Sequence, residues 1–314
     1  MHFKDLESCG ALVFGFKEKE KNMIINKLEK FGYCVSDVDY QSKDDAKKLK
    51  QLVGEGRVVC IRNETPVEPA NLVALYKNIG RVAVQNEKVR GSGVGGFGEL
   101  VQVKSDGLFQ GKEDGELVWH NAVLQKSDGE DIVGMYMHHI AEKGGDTYFS
   151  DGQGAYDDLD DNLKEKLDNI LAKTIYYPLV DDENLSKVVK NTHIHQIFPD
   201  EDTFREWKDV DGNVVYSKQV KTKPIITTHH ISGKKGLDFP YIMLRGFVGM
   251  PKEESNNLFK FLCDHVMKDK YVYRHKWNLY DICLSDQVHS LHKRDAYDGF
   301  RELWRAGIWS RDEN

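Results

Sequence analysis

The sequence lacks the cysteine patterns that mark disulfide-rich or zinc-binding proteins. Its 314 residues contain five cysteines, an odd number, and no two of them form a Cys-x-x-Cys pair. A disulfide framework and a zinc site are therefore not expected. Reduced thiols in a cytoplasmic protein are the simplest interpretation, because disulfides are rare in a reducing compartment.

Long apolar runs and an excess of positive charge are absent as well. No apolar run approaches the ~20 residues that a membrane helix needs, and the opening segment, residues 1–7, is too polar for a signal peptide. The formal net charge is −7. Nothing in this charge balance neutralises phosphates in bulk, so neither a membrane nor a nucleic acid is an expected partner.

The chain also lacks the regular alternation of strands and helices that builds a doubly wound parallel sheet. Strands and helices come first and mostly short strands follow, which favours an antiparallel jelly-roll barrel with helices packed outside it. The glycine-rich stretch at 91–97 does not lie between a strand and a helix, so the context of a dinucleotide-binding fingerprint is missing. We expect a mostly β protein with flanking helices, folded as a single domain over residues 1–314.

Hydrophobic periodicity predicts the individual elements. Helices are predicted at residues 18–31, 44–53, 68–79, 157–170 and 254–268. Strands are predicted at residues 11–16, 33–37, 58–62, 99–104, 116–124, 132–140, 147–150, 271–277, 281–285 and 303–309. The polar segment 180–240 has a turn signal at 211–213, which predicts an inserted hairpin. A long insertion of this kind is typical of a lid over a binding site.

Three short motifs stand in an order that indicates non-heme iron chemistry. Trp119-His120 comes first, a Gly-Gly-Asp-Thr sequence follows at 144–147, and His292 lies near the end of the chain. Two histidines and one carboxylate usually bind Fe(II) on one face and leave the other positions open. The carboxylate usually stands two residues after the first histidine, and at that position the sequence has Ala122.

With these motifs the chain resembles the TauD/TfdA family of Fe(II)- and 2-oxoglutarate-dependent oxygenases. The resemblance covers nearly the whole length, apart from the insertion at 180–240. It rests on segments that match four parts of the family. The family's opening corresponds to residues 32–80 and its Gly-Gly-Asp-Thr motif to 143–147. Its last metal-ligand strand corresponds to 273–277 with 286–292, and its closing arginine strand to 301–305. Each motif is short, but four in the right order make the match specific.

The resemblance implies a double-stranded β-helix core, a cupin-like jelly roll, and an enzyme that uses Fe(II), 2-oxoglutarate and O2 on a small-molecule substrate. It assigns His120 and His292 to the iron. It assigns Thr147 and Arg301 to a carboxylate of 2-oxoglutarate, which a guanidinium binds in a bidentate manner. Arg305 aligns with an arginine that contacts an anionic substrate group or supports the cosubstrate, and on a strand it faces the same side as Arg301. A homo-oligomer is compatible with the resemblance, although no stretch indicates an interface.

Three positions depart from the family pattern. Ala122 stands where the family has Asp, Ser285 where an aromatic residue is common, and Gln287 where Asn is common. Only the first change affects the metal, because it removes one ligand and one negative charge.

Three accounts of Ala122 stay open. In the first, the protein is a halogenase: His-x-Ala is similar to the motif of known Fe(II)/2-oxoglutarate halogenases. Chloride would fill the open position and supply the missing charge, and Asn121 with nearby backbone N–H groups would help to hold it. In the second, water or another carboxylate completes the site of a hydroxylase or desaturase. In the third, the site is not catalytic, either as a binding module or as an engineered Asp-to-Ala variant.

The substrate is predicted from two charged residues. Glu116 precedes His120 by four residues, so on a strand both face the same side and Glu116 is expected to line the pocket. Arg305 and Glu116 together would bind a zwitterion such as an amino acid. A nucleoside or a carrier-bound substrate stays open.

Structural interpretations compete with these roles. A lone histidine is more often a hydrogen-bonded core residue than a ligand, and Thr147 is also typical of an ordinary turn. His289 is a rival of His292 that would face a different side of the strand. The aromatic residues Tyr271, Tyr273 and Trp277 share one face of their strand and are expected to belong to the core.

Overall fold

Two β-sheets form the centre of the molecule. The computed structural model describes residues 22–84, 93–105, 116–121, 130–174, 207–208, 214–216, 221–238, 241 and 244–311. The main sheet has eight strands in the spatial order β1 (Ile24–Lys27), β2 (Tyr33–Ser36), β3 (Val58–Ile61), β18 (Ile282–Asp286), β7 (Ile132–His139), β21 (Glu302–Trp309) and β4 (Arg81–Val82), with β5 (Val101–Lys104) also paired to β21. Its pairs are antiparallel except β2 with β3.

The second sheet has four antiparallel strands. Their spatial order is β17 (Val272–His275), β9 (Thr147–Ser150), β19 (His292–Arg294) and β6 (Leu117–His120). A short antiparallel pair, β8 (Lys143–Gly144) with β20 (Tyr297–Asp298), forms between the segment that precedes β9 and the segment that follows β19. The mostly β fold with flanking helices that the sequence predicts is confirmed.

Two helices cover the outer face of the main sheet, α1 (Lys43–Gly56) and α2 (Pro69–Ile79). The first helix begins at Ser42, whose hydroxyl accepts a hydrogen bond from the backbone N–H of Asp45 at 3.1 Å and so satisfies one free donor of the first turn. The second begins with Pro69, which suits the first helical position. Their buried apolar faces pack on the outward side chains of β3, β7, β18 and β21.

The central strand β7 is buried on both faces, as expected for a sheet that lies inside the protein. Residues 132–137 are all buried, without the alternation of a strand that has one face in water. Gly134 sits where the Tyr76 ring approaches from α2, and a Cβ at this position would lie 2.6 Å from a ring carbon. The missing side chain therefore permits the close contact between helix and sheet.

A hydrophobic cluster between the sheets joins their inner faces. The main sheet contributes Val58 and Cys60 from β3, Cys283 from β18 and Met135 from β7, and the second sheet contributes Phe149. All are buried. The candidate functional residues described below lie on these same two inner faces.

A further hydrophobic cluster packs beside the second sheet. Its elements are α3 (Gly152–Asp157), α4 (Asp161–Asp168), the three-stranded sheet β13 (Lys221–Pro224), β10 (Leu171–Thr174) and β16 (Leu244–Phe247), the pair β14 (Ile226–Thr228) and β15 (Lys235–Leu237), and α5 (Lys252–Val266). Ile225, Ile226 and Leu237 are buried in it. The last part of the predicted insertion, residues 221–238, therefore belongs to the packed body of the fold.

The hairpin predicted within the insertion has its two strands. β11 (Trp207–Lys208) pairs with β12 (Val214–Tyr216) in antiparallel register. The turn between them, at 211–213, lies outside the described residues, as does most of the segment 175–220. A lid over the site stays a prediction.

Two predicted helices differ from the structure. The helix at 18–31 is wrong, because Ile24–Lys27 is a strand that pairs with Tyr33–Ser36. Sheet pairing has overridden the helix-like spacing of its apolar residues. The helix at 157–170 is shorter and forms only over Asp161–Asp168, because Asp160 caps it by accepting from the backbone N–H of Leu163 at 2.9 Å. The predicted strand at 11–16 lies outside the described residues.

The described cysteines Cys34, Cys60, Cys263 and Cys283 carry free thiols. None of the helices in the described part of the chain is long and apolar enough to span a membrane.

A buried ion pair fixes the end of β18. Arg57 donates to the carboxylate of Asp286 at 2.6 Å, and both side chains are 1% exposed. The carboxylate also accepts from the backbone N–H groups of Val288 and His289, and lies 3.2 Å from His229 Nε2. Burial alone would raise the pKa of Asp286, but Arg57 and His229 outweigh it and hold the pKa well below its usual range.

We expect Asp286→Asn to lower the free energy of unfolding by about 3 kcal/mol, because it leaves the Arg57 charge buried without a counterion. The depressed pKa gives a contribution that is present above about pH 4 and lost as the pH falls. Urea denaturation at pH 7 and at about pH 2, below the ordinary pKa of a free aspartate, measures both effects, and the variant should lose less stability between the two values than the parent protein.

The matched control is Asp264→Asn, which breaks an exposed pair between Lys260 and Asp264 at 2.6 Å. Exposed pairs contribute about 0–1 kcal/mol, so this variant should unfold almost like the parent. Equal losses in the two variants would contradict the importance of the buried pair.

Candidate active site

The two predicted iron ligands lie side by side on the second sheet. β19 runs between β6 and β9, and His292 is directly opposite His120 in the register. Directly opposed residues in an antiparallel pair point to the same face. The two imidazole rings have centroids 4.1 Å apart with an angle of 51° between their planes. The structure thus brings together residues that are far apart in the sequence.

The environment of His292 suits a metal ligand. His292 Nδ1 is buried and has no hydrogen-bond partner. Burial, followed by the nearby His120 and Arg305, lowers the pKa of His292 well below its usual value. The ring is therefore neutral at pH 7, which is the form that binds a metal.

A third protein ligand is missing from the described part of this site. Within the described residues, no carboxylate lies close enough to both imidazoles to share one metal ion with them. Ala122, which occupies the usual carboxylate position, lies outside the described residues. Asn121 is buried, and its amide nitrogen donates to the backbone oxygen of Gln287 at 3.4 Å.

Thr147 points into the space between the sheets, one strand away from the histidines. It is 3% exposed and lies opposite Arg294 on β19 and His275 on β17. Trp277 Nε1 donates a hydrogen bond to Thr147 Oγ1 at 2.9 Å. Because the indole N–H occupies one lone pair of the oxygen, the threonine hydroxyl keeps its own proton to donate to an acceptor.

Arg301 is a buried cation just before β21. It is 3% exposed, and its Nη2 donates only a long hydrogen bond, 3.4 Å, to the backbone oxygen of Gly145. Burial and then the neighbouring Arg294 lower the pKa of Arg301 to about 9. No carboxylate of the described residues forms an ion pair with it. A buried guanidinium beside a second one favours an anionic ligand.

Arg305 lies on the inner face of the main sheet, opposite Met135 on β7. Its Nη2 donates to Glu130 Oε2 at 2.5 Å, and the Glu130 side chain is 6% exposed. A guanidinium has five N–H donors, so this one contact leaves room for a second anion. Gly307 provides the space for Glu130, since a Cβ at this glycine would lie 1.9 Å from the carboxyl carbon.

Glu116 is more exposed than its predicted substrate role requires. Its side chain is 53% exposed and pairs with Lys293 Nζ at 3.0 Å. Lys293 also lies over the ring of Tyr148. This ion pair has to open before Glu116 can bind a substrate ammonium group.

His289, the rival of His292, is engaged elsewhere. Its Nε2 lies 2.8 Å from Thr227 Oγ1 and its Nδ1 lies 3.2 Å from Gln153 Nε2. Burial lowers its pKa to about 3. With both ring nitrogens hydrogen-bonded to side chains, His289 is a structural histidine, and His292 is the better candidate for a ligand.

Comparison with known proteins decides the family. The sequence model of the family described as "Taurine catabolism dioxygenase TauD, TfdA family" matches residues 26–306. The chain belongs to this family. Its members use Fe(II), 2-oxoglutarate and O2, so the protein is an oxidoreductase of the 2-oxoglutarate-dependent dioxygenase type.

Two curated relatives of this family member match over most of their length. Both are named alpha-ketoglutarate-dependent 2,4-dichlorophenoxyacetate dioxygenase. One, from a Burkholderia species (strain RASC), is 33% identical over 294 residues, covering 86% of this chain and 87% of its own. The other, from Cupriavidus pinatubonensis, is 24% identical over 292 residues, covering 88% and 93%.

Solved structures show the same fold. A putative alpha-ketoglutarate-dependent taurine dioxygenase from Burkholderia xenovorans superposes with a TM-score of 0.69 at 19% identity, covering 91% of this chain and 92% of its own. AAD-2 in complex with Mn(II) and N-oxalylglycine superposes with a TM-score of 0.68 at 19% identity, covering 93% and 98%. The predicted cupin-like jelly-roll core is confirmed.

Sequence reasoning missed three residues of this TauD/TfdA site. Trp277 was expected to belong to the core, and it does, but its N–H also orients Thr147. Glu130 and Lys293 pair with the two predicted substrate residues and carry no motif of their own. Only the alternation predicted for residues 271–277 places Trp277 on the same side as Tyr273, and that signal does not identify a hydrogen-bond partner.

The bond from Trp277 to Thr147 makes a testable contribution to cosubstrate binding. We expect Trp277→Phe to weaken 2-oxoglutarate binding by about 2- to 10-fold, the worth of one neutral hydrogen bond, because the threonine hydroxyl loses its fixed orientation. Titration of the anaerobic Fe(II) protein with 2-oxoglutarate measures the dissociation constant. The control Trp304→Phe removes a 2.7 Å bond from a buried indole to Glu302 on the other face of the sheet and should leave binding unchanged. Equal effects would show that lost packing alone is responsible.

Proposed function

We propose that this protein oxidises an unactivated C–H bond of a small organic anion and transfers halide to it. The observation that carries the proposal is a pair of facing histidines, His120 and His292, with Ala122 at the carboxylate position. When bound, Fe(II) with 2-oxoglutarate and O2 supplies the oxidising power that abstracts hydrogen from the substrate. Chloride would take the place and the negative charge of the absent carboxylate.

Two features of the described residues support a halide at this position. No described carboxylate lies near enough to both imidazoles to replace the missing ligand. Without a carboxylate, two neutral histidines leave the full charge of a divalent ion uncompensated, and anions bind strongly where charge is partly buried. A halide and the dianionic cosubstrate carry three negative charges, which balance the divalent ion and the Arg301 guanidinium together.

The cosubstrate is proposed to bind between the two sheets. Thr147 on the second sheet would donate its hydroxyl proton to one carboxylate oxygen, while Arg301 from the main sheet would bind the same carboxylate through two N–H groups. The low pKa of Arg301, caused by burial and by Arg294, reflects positive charge that lacks a counterion. A dicarboxylate relieves this unfavourable charge, which favours binding.

The substrate is proposed to be a small carboxylate held by Arg305. Arg305 lies on the same face of the main sheet as Arg301 and already binds the carboxylate of Glu130. The relatives are named for 2,4-dichlorophenoxyacetate and for (S)-phenoxypropionate, both carboxylates. Aryloxyacetates are therefore the first class to test. An ammonium group on the substrate would depend on Glu116, whose present partner is Lys293.

Hydroxylation is the second candidate function. It is favoured by the names of the curated relatives, which are dioxygenases. In this case water takes the position of the missing carboxylate and the substrate receives hydroxyl. A third account, a site without catalytic activity, predicts no cosubstrate-dependent chemistry at all.

Chloride should change the metal-to-cosubstrate absorption of this protein. We expect the charge-transfer band of the anaerobic Fe(II)–2-oxoglutarate protein to shift and strengthen when sodium chloride is added, because chloride becomes a ligand. Sodium sulfate at equal ionic strength is the control. In Ala122→Asp the added carboxylate competes with halide, so the band should remain and lose its response to chloride.

The outcomes separate the three accounts. A band that is indifferent to chloride in the parent protein would overturn halogenation and leave hydroxylation. Absence of a band in the parent, with a band restored by Ala122→Asp, would mean that the natural site is not competent. Chlorinated product detected by mass spectrometry only in the presence of chloride would complete the case for halogenation.

The role of Arg305 gives a separate prediction. We expect Arg305→Gln to weaken binding of 2,4-dichlorophenoxyacetate by about 10- to 100-fold, because a hydrogen bond to a charged group contributes about 1.5–3 kcal/mol. The methyl ester of the same compound, which lacks the charge, should bind both proteins alike. Perturbation of the anaerobic charge-transfer band by the added compound measures binding.

Two further variants control for effects other than the loss of the substrate contact. Arg305→Gln leaves Glu130 buried without its cation, so the double variant with Glu130→Gln restores a neutral pair and should bind as weakly as the single one. Arg274→Gln removes an arginine that is 51% exposed and should change nothing. Unaltered affinity in both Arg305 variants would rule out Arg305 as the carboxylate-binding residue.

A further inference from the structure

Two cysteines meet on the inner face of the main sheet, away from the histidine pair. Cys60 on β3 is directly opposite Cys283 on β18 in the register, and the two residues are 223 positions apart in the chain. Their Sγ atoms are 3.3 Å apart. Sequence rules for metal sites look for cysteines that are close in the chain, so this pair carries no sequence signal.

A histidine from the facing sheet completes the group. His275 on β17 points inward, and its Nδ1 lies 3.3 Å from Cys60 Sγ. The ligand atoms of Cys60, Cys283 and His275 all lie within 4.8 Å of one another. All three residues are 0% exposed. This cluster, Cys60–His275–Cys283, is the only group of its kind among the described residues.

The second nitrogen of His275 faces a buried carboxylate. His275 Nε2 lies 3.5 Å from Asp281 Oδ2, and neither this nitrogen nor Asp281 Oδ1 has a hydrogen-bond partner. Asp281 is held in place by Arg62 and by the backbone N–H of Asn278. A histidine that binds a metal through one nitrogen typically has a carboxylate at the other. The unsatisfied atoms are thus arranged as they are behind a metal ligand.

The charges of the cluster also suit a cation. Thiolate is the form of cysteine that binds metals. Two thiolates neutralise a divalent ion, so the loaded cluster would bury no net charge.

We propose that Cys60, Cys283 and His275 form a structural zinc site that ties the two sheets together. Two thiolates and an imidazole are the soft and intermediate ligands that select zinc over iron(II), magnesium or calcium. Structural zinc sites are tetrahedral and closed to solvent. The Tyr273 hydroxyl lies 3.1 Å from His275 Nδ1 and is a candidate for the fourth position.

The proposed zinc site is distinct from the histidine pair of the active site. Cys60, Cys283, Met135 and Arg305 lie in one row across four adjacent strands of the main sheet. Three strand spacings of about 4.8 Å put Cys60 roughly 14 Å from Arg305. On the second sheet, His275 lies directly opposite Thr147, so the zinc site borders the proposed cosubstrate position but shares no ligand with the histidine pair.

A disulfide is the competing outcome for these two cysteines. Opposed cysteines on neighbouring strands are close enough to be bridged after a small shift. However, redox-sensing thiols are solvent-accessible, and these are not exposed at all. A disulfide would also leave His275 and Asp281 without a function in the cluster. The metal, by contrast, would bind while the sheets assemble, because binding and folding of such sites are coupled.

The test uses the full chain with cobalt and zinc as probes. Co²⁺ bound by thiolates in a tetrahedral site gives a strong sulfur-to-metal charge-transfer band, which the sulfur-free active site cannot produce. We expect this band in the parent protein, together with about one zinc per chain after chelation of the active-site metal, as expected for a closed structural site. Cys60→Ser and Cys283→Ser should lose both signals. His292→Ala should keep them.

Cys263→Ser is the matched control, since Cys263 is equally buried but lies in a different cluster. It should retain both the band and the zinc. X-ray absorption at the zinc edge of the parent protein needs no variant and should show sulfur neighbours at about 2.3 Å. That measurement remains decisive even if the cysteine variants fold poorly.

Three results would overturn the zinc site. The first is a parent protein without zinc whose five cysteines all react with a thiol reagent after denaturation. The second is a parent protein in which only three react before reduction, which would identify a disulfide. The third is zinc that persists in Cys283→Ser, which would place the metal elsewhere.

Discussion

The register of a single short strand determines whether this protein has an active site. β19 is three residues long and pairs with β6 on one side and β9 on the other. This pairing puts His292 opposite His120 and Arg294 opposite Thr147. A slip by one residue would turn His292 to the other face of the sheet. The buried pair of Arg57 and Asp286 holds the segment that leads into β19, which ties the stability of the fold to the geometry of the site.

The candidate site divides its chemistry between two sheets. The second sheet supplies two imidazoles and the Thr147 hydroxyl, and Arg294 lies opposite Thr147 on the same sheet. The main sheet supplies the guanidinium group of Arg305, and Arg301 stands just before its strand β21. Metal ligands and guanidinium groups thus approach the same space, and Arg305 lies near enough to His292 to lower the pKa of that imidazole. The anions that bind between the sheets would bridge the two sets.

The sequence predicted the parts of this molecule that depend on local patterns. Motif order indicated His120, Thr147 and His292, and the helices over 43–79 followed from their apolar spacing and caps. The sequence did not predict which strands pair across the fold. For example, Ile24–Lys27 has helix-like spacing but is a strand. Glu130 and Trp277 were missed for the same reason, because a residue's partner depends on which strands become neighbours. The Cys60–His275–Cys283 cluster is the extreme case, since its members come from three separate strands.

The positions of His120 and His292 along the chain have a consequence for how the protein is made. More than half of the printed sequence lies between them, so β19 and β21 leave the ribosome well after β6. Long-range strand pairing of this kind forms slowly. A nascent or prematurely terminated chain therefore carries one imidazole without its partner and no Arg301 or Arg305. Such fragments have no means of combining metal, cosubstrate and oxygen, so oxidative chemistry is postponed until the segment that carries His292 and the two arginines has been made.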